Sequence, residues 1–285
     1  NFTPNMINML LYQNGATDDL TVAGIDSIVF RPADDIEANA ILIEYNNDIA
    51  TVRHNITSEY FNVNVNGADV EIISEASIEG LQYYLSGTTT NGSFSLESDM
   101  PYEVILNNTE ITSLTDVPLN LSKNVERNII IANGTTNILS DSEDSDGKAV
   151  INSKGATNIS GFGSLTINAN KKHGISSDND ININGTTISI NHSADASKGL
   201  KSDCNIMITD GDVNIVSSGT LTLEALDLGY DATYCTSIGA DGNFEMRGGK
   251  LNITLPVSNE AGRGIKTDGD ISISGGEISI VSHSG

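Results

Sequence analysis

Basic side chains are scarce in this sequence: 14 Lys and Arg stand against 38 Asp and Glu, a formal net charge of −24 at pH 7. Phosphate binding needs a basic surface, so a nucleic-acid binder is excluded. Charged residues make up only 18%, so the imbalance comes from a shortage of Lys and Arg and not from a glut of ionised groups. Tryptophan is absent and aromatics reach 5%. With two cysteines, Cys204 and Cys235, and no CxxC or Cys/His spacing, there is neither a disulfide framework nor a zinc motif. No run approaches the roughly 18 consecutive apolar residues of a membrane helix. A basic, then apolar leader is also missing, and the chain reads as a mature or trimmed one whose targeting segment lies elsewhere.

What is present is alternation. Phe61-Asn62-Val63-Asn64-Val65, Asp180-Ile181-Asn182-Ile183-Asn184 and Glu277-Ile278-Ser279-Ile280 place an apolar residue at every second position, bounded by Gly, Asn, Asp and Ser. That period belongs to half-buried strands. No window carries the i, i+3, i+4, i+7 pattern of an amphipathic helix, so the chain is all-β. The strands also repeat at a longer period. Gly264-Ile265-Lys266-Thr267-Asp268-Gly269-Asp270-Ile271 recurs as Gly199-Leu200-Lys201-Ser202-Asp203-Cys204-Asn205-Ile206 and as Gly174-Ile175-Ser176-Ser177-Asp178-Asn179-Asp180-Ile181. A fourth copy contains Ser237-Ile238-Gly239-Ala240-Asp241, and a weaker fifth runs from Ile151 through Lys154. The register residue moves through 154, 178, 203, 241 and 268, and the long third step contains an insertion around residues 220–234. Turns of about 25 residues carrying short strands describe a parallel β-solenoid, with Ile, Leu and Val inside and Ser, Thr, Asn and Asp outside. In this register Cys204 and Cys235 fall seven positions apart, which disfavours a disulfide.

Residues 1–45 break the pattern. Met6–Tyr12 and Ile25–Phe30 read as a small strand pair followed by a linker at Pro32, which predicts an N-terminal appendage before a solenoid over 46–285. The sequence stops soon after a full repeat at Gly285, which points to truncation, a swapped end or a partner over the last rung.

The run Tyr102–Ile111, then Asn128–Leu139, then the Gly-Ile-x-Ser-Asp-x-Asp-Ile rungs resemble the bacterial cell-surface carbohydrate-binding β-helix family of the clostridial cellulose- and pectin-binding type, over roughly residues 46–285. The segment Gly15–Phe30 and the Tyr234-Cys235-Thr236-Ser237-Ile238 stretch are similar to versions in Bacteroidales surface lipoproteins. The resemblance implies a right-handed, pectate-lyase-like parallel β-helix that binds Ca²⁺ and polysaccharide without established catalysis. It further implies export, with attachment at the cell surface.

Three regions are candidates for chemistry. Asp178, Asp203, Asp241 and Asp268 share one register, with Asp180 and Asp270 two positions on. Stacked about 4.8 Å apart, bare carboxylates repel by about 1 kcal/mol per pair in water and several times that at a protein surface. Ca²⁺ would bridge them, the aligned Lys201 and Lys266 would neutralise them, or each Asp would cap backbone N–H groups. Lys154 and Ala156 fill the acidic positions of their own rung, which predicts no ion there. In the acidic loop 141–147, Asp144 and Asp146 align with calcium-loop ligands, but Ser142 and Ser153 stand where two further ligands are needed, so this is a solvated loop or a loose calcium site. The insertion brings Tyr230 and Tyr234 beside Asp227 and Asp231, a set able to stack a sugar ring and bond its hydroxyls, or simply to cover a rung edge. A lyase alternative would use Lys201, Lys266, Arg247 or Arg263 as its base, yet these residues form no distinct cluster in the sequence. A structural stalk or adhesin is the third reading. The expected ligand is a plant or host polysaccharide, pectin-like or other. An acidic one would need bridging Ca²⁺ against this surface charge, and without Trp a flat aromatic platform is not expected.

Overall fold

The structure is a computed structural model that describes residues 36–75, 77–259 and 261–283, together with the backbone of strands Asn8–Gln13 and Ala16–Thr21. Two compact units divide the chain, Asn1–Ile36 and Glu37–Gly285. In the first, Asn8–Gln13 pairs antiparallel with Ala16–Thr21. The first strand matches the expected Met6–Tyr12 segment, but its partner is a strand with little apolar alternation, which the sequence reading passed over. The expected partner Ile25–Phe30 lies outside the described residues.

Every regular element described in the second unit is a strand, and most stack as a parallel β-helix. One rung runs His173–Ser177, Ile181–Asn184 and Thr187–His192, each pair of strands joined by a turn of two or three residues. The next rung, Lys198–Ser202, Ile206–Ile208 and Asp212–Ser217, lies parallel on it with Ile175 opposite Leu200, Ile181 opposite Ile206 and Ile188 opposite Val213. These three strand positions generate three faces, here called first, second and third in chain order. On the first, Leu119, Ile151, Ile175, Leu200, Ile238 and Ile265 form one column. Its steps from Ile151 are 24, 25, 38 and 27, the spacings of the sequence repeat. Within the columns, Ile151, Ile175, Leu200, Ile238, Ile181, Ile206, Phe244 and Ile188 are fully buried. Each such side chain contributes about 1.5–3 kcal/mol of transfer free energy, which is why a narrow bore needs no Trp.

The long strand Tyr102–Ser113 serves two faces: Tyr102–Leu106 pairs with Arg127–Ile131 on the second, and Glu110–Ser113 pairs with Ile138–Asp141 on the third. The helix begins earlier in the chain than the sequence indicates. Ala40–Asn46, assigned there to the appendage up to residue 45, runs parallel to Leu81–Thr89. Antiparallel strands, Ile49–His54 and Phe61–Asn66, finish these ends of the two large sheets. Gly161 closes the turn between second and third faces at φ +120°, with the Ile131 carbonyl oxygen 2.1 Å from where a Cβ would sit, so the turn admits only glycine.

Candidate functional site: a lysine-lined groove on the first face

The turn that ends each first-face strand begins with the register residue, whose backbone N–H bonds the rung before it: Asp178 to Ser153, Asp203 to Ser177, Asp241 to Ser202 and Asp268 to Ala240. The four aspartates are therefore stacked as the repeat requires. Their carboxylates meet lysines. Lys154 Nζ reaches Asp178 at 2.6 Å, while Lys201 pairs with Asp203 and Lys266 with Asp268. Lys266 holds the Asp268 carboxyl below the ordinary range. Lys201 and Lys266 lie in one outward column, separated by Gly239. The gap at Gly239 is filled from the side. The Lys198 chain crosses it, 2.7 Å from the position a Cβ would take. Lys198 is half-buried, and desolvation together with the Lys201 charge lowers its pKa while Asp241 raises it. Gly239 thus makes room for the cation that faces the fourth aspartate.

Asp180 and Asp270 do different work. Asp180 Oδ1 accepts from the backbone N–H and the side-chain amide of Asn205, both at 2.9 Å. Asn205 Oδ1 accepts from Asn243 N–H at 2.9 Å, and Asn243 Oδ1 from Asp270 N–H at 2.8 Å. In this Asx ladder the side chains of Asp180, Asn205 and Asn243 each cap the turn of the following rung, so the backbone-capping reading applies to Asp180, across rungs and not within its own turn, while Asp270 contributes its N–H.

A groove of about 540 Å³ runs along this face, and Asp146, Lys148, Lys154, His173, Asp178, Lys201 and Asp203 line it. Of the sequence candidates, the structure thus gathers Asp146, Asp178, Lys201 and Asp203. Asp144 is exposed on the acidic loop, bonding Ser142 through its N–H. Asp141 of that loop is buried, with Oδ1 accepting from the N–H groups of Asn170 and Lys171. Sequence reasoning missed Lys148, His173 and Lys198. Extending the repeat one residue upstream of Gly174 and Gly199 finds the last two. His173 is buried, and its Nδ1 accepts from Lys198 N–H at 2.9 Å, which fixes the Nε2–H tautomer. Burial, then the charges of Lys172, Lys198 and Lys201, bring its pKa down to about 3, so it enters the groove as a neutral group.

The insertion forms an exposed hairpin, Thr222–Leu226 with Gly229–Thr233. Tyr230 is 71% exposed on it. Asp231 sits opposite Glu224, and Asp227 lies in the exposed turn. Tyr234, just past the hairpin, stacks under the Arg263 guanidinium at 3.7 Å. The hairpin tyrosines are therefore not part of the lysine groove. Among the described residues no three His, Cys, Asp or Glu side chains converge as a metal cage. Cys204 and Cys235 are both free thiols.

Comparison with known proteins agrees with this architecture. Residues 66–285 match the family described as carbohydrate-binding domain-containing proteins, and the chain belongs to that family. A protein of the same description from Acetivibrio thermocellus is 29% identical over 141 residues, which are 45% of this chain and 49% of the relative, so the match spans about half of the relative's length. A solved structure, a polysaccharide lyase-like protein from C. thermocellum, shares the fold at TM-score 0.58 and 19% identity, over 85% of this chain and 97% of that one.

Proposed function

We propose that the chain is a non-catalytic module that holds an acidic polysaccharide along the first face. The observation that carries this reading is the clustering of cations: five of the nine lysines in the sequence, Lys148, Lys154, Lys198, Lys201 and Lys266, lie on or along one strand stack of a molecule with net charge −24. An ammonium bonded to one aspartate keeps two further N–H donors for a ligand carboxylate, and a strip repeating at the rung spacing suits an extended polymer. Uronate chains of the pectin type are the proposed ligand. Ca²⁺ enters as a ligand-dependent ion: the described side chains do not make a cage alone, and the glycan's carboxylates supply the remaining oxygens. Support for binding without cleavage comes from the cations a lyase would need as base. Lys201 and Lys266 are held by aspartates, Glu245 clamps Arg247 at 2.7 and 2.8 Å, and Arg263 covers Tyr234. The same reading puts the module outside the cell, at a surface, as in the Bacteroidales lipoproteins that its N-terminal segment resembles.

Retention on immobilised polygalacturonate, run with calcium and with chelator, tests this directly. Binding in calcium that is lost in the triple variant Lys154→Ala/Lys201→Ala/Lys266→Ala is the expected result. No retention under either condition overturns the acidic-glycan reading, and release of unsaturated ends replaces it with the lyase.

A further inference from the structure

One first-face lysine stands apart from the others. Lys154 is bonded to Asp178, Lys201 to Asp203 and Lys266 to Asp268. Away from this column, Lys123 holds Glu97 and Asp99, Lys171 donates to the Glu143 carbonyl, and Lys148, Lys172 and Lys250 are exposed. Lys198 is half-buried, yet no carboxylate among the described residues lies within ion-pair distance of its Nζ. Its place is set by Gly239. The side chain lies along that glycine, with Cδ 2.7 Å, Cε 3.0 Å and Nζ 3.4 Å from the point where a Cβ would stand. The amine therefore fills the gap of the outward column, with Lys201 one rung before it and Lys266 one rung after, at a rung spacing of about 4.8 Å. The other groups around it are few. Asp203, in the turn that follows its own strand, is taken by Lys201, and Asp268 is taken by Lys266. Asp241 faces it from the next rung, and the preceding rung presents His173 as a neutral ring. Burial and the charges of Lys201 and Lys266 lower the Lys198 pKa, against the smaller opposing pull of Asp241 and Asp203.

We propose that Lys198 is a nucleophilic amine that captures a small anionic aldehyde as an imine. A half-buried ammonium with no bonded counter-ion gives up its proton readily, and a cation beside a lysine is a recurrent way to obtain the free amine at neutral pH. The flanking lysines supply the other half of the site. Each ammonium keeps two N–H donors beyond the one its aspartate accepts, and the pair brackets an anionic group held next to Lys198. The step balances without a further reactant. The Nζ lone pair attacks the carbonyl carbon, a C–N bond forms, and one amine proton passes to the carbonyl oxygen to give a carbinolamine. That hydroxyl leaves with the second amine proton as water, the imine remains, and hydrolysis reverses the capture. No other lysine combines these conditions: Lys154, Lys201 and Lys266 are each engaged by a carboxylate, and Lys148, Lys172 and Lys250 stand in solvent outside the column. The proposal goes beyond the polysaccharide reading and does not depend on it.

The test uses pyridoxal 5′-phosphate, an aldehyde that carries a phosphate, and pyridoxal, which lacks it. The folded chain is treated briefly with either one at about pH 7.5, the imines are fixed with borohydride, and the modified lysines are located by peptide mass spectrometry. With the phosphate form, Lys198 should be modified at least about tenfold faster than Lys148, Lys172 or Lys250, and its rate should level off at a lower pH than theirs. With pyridoxal most of that preference should disappear. Gly239→Ala, whose new Cβ meets the Lys198 chain, should displace the amine and bring its rate to that of the exposed lysines. Lys266→Ala leaves the Lys198 chain in place and should reduce its preference for the phosphate form, with thermal melts reporting that both variants fold. Modification of Lys198 no faster than of the exposed lysines, or a rate unchanged in both variants, overturns the proposal. Equal preference with pyridoxal overturns its anionic half. Polygalacturonate retention is read separately on unmodified wild type, so its failure strikes the acidic-glycan reading and leaves the Lys198 chemistry standing, and the reverse holds for uniform modification.

Discussion

His192 shows how hydrogen bonds alone settle a protonation state. It is buried, with Nδ1 2.6 Å from Ser197 Oγ and Nε2 2.6 Å from Ser217 Oγ. Ser197 already donates to the Ala194 carbonyl, so it accepts from Nδ1–H. Nε2 then accepts from Ser217, which in turn accepts from Ser237 at 2.6 Å. The relay runs one way, from Ser237 to Ala194, and it requires neutral imidazole. Desolvation agrees, bringing the pKa to about 4 from 6.5, as it brings His173 to about 3. In the unfolded chain both rings take up a proton near pH 6.5, so the unfolded state binds more protons as pH falls below that value. Stability is therefore complete above about pH 6.5 and declines through the window toward pH 4 and 3, with His192 contributing on the order of 3 kcal/mol. Urea midpoints at about pH 7, 5.5 and 4.5 should fall in turn, and His192→Gln should flatten that slope. A pH-independent midpoint in the wild type would sink the assignment. Arg127 is the counterpart for a buried cation. Its guanidinium bonds Leu121 O at 2.9 Å, Ser153 Oγ at 2.7 Å and Val125 O at 2.6 Å, and also Lys123 O. No carboxylate shares these bonds, so Arg127→Met strands several buried acceptors at once. The expected loss is about 3 kcal/mol in denaturant melts, and a loss under about 1 kcal/mol would show that water replaces the bonds.

At the scale of elements, the turns carry the rung-to-rung connection. The Asx ladder from Asp180 to Asp270 supplies one side-chain cap per rung. Asn243→Ala should cost about 1 kcal/mol by leaving the Asp270 N–H without its partner, whereas Asn243→Asp, which keeps an accepting oxygen for that N–H, should cost less. Equal losses in thermal melts would mean that the amide donors, and not the accepting oxygens, matter. The insertion behaves in the opposite way. Its two strands pair with each other and are exposed along nearly their whole length, so replacing 222–233 by a short turn should leave the melting temperature nearly unchanged. The sequence revealed the stacking because identical turn chemistry recurs at each rung, and the steps read from Asp178, Asp203, Asp241 and Asp268 are those of the strand register. It did not reveal Ala40–Asn46 as a helix strand, because the adjoining rungs there lack the Gly-Ile-x-x-Asp signature. Nor could it show Lys198 crossing Gly239. That contact joins two rungs through a missing side chain, and a repeat alignment records glycine only as a mismatch.

For the whole molecule, the decisive quantity is where the net charge of −24 resides. Lys154, Lys201 and Lys266 pair with aspartates of the first face, which leaves the excess of carboxylates on the rest of the surface. Exposed Lys–Asp pairs are worth about 0–1 kcal/mol each and weaken in salt, while repulsion summed over the remaining acids destabilises the compact state and is screened by the same salt. Repulsion involves many more charges, so added NaCl should raise the melting temperature. Calcium at matched ionic strength, without glycan, should raise it by no more than NaCl does, since among the described residues no three metal-ligating side chains converge. With polygalacturonate present, calcium should give a further, saturable rise that NaCl does not reproduce. The comparison separates screening from binding. A saturable calcium shift in the glycan-free protein would place a complete ion site on the chain itself and overturn the ligand-dependent role, whereas a shift seen only with glycan ties the ion to the groove where Asp178 and Asp203 already stand beside Lys154 and Lys201.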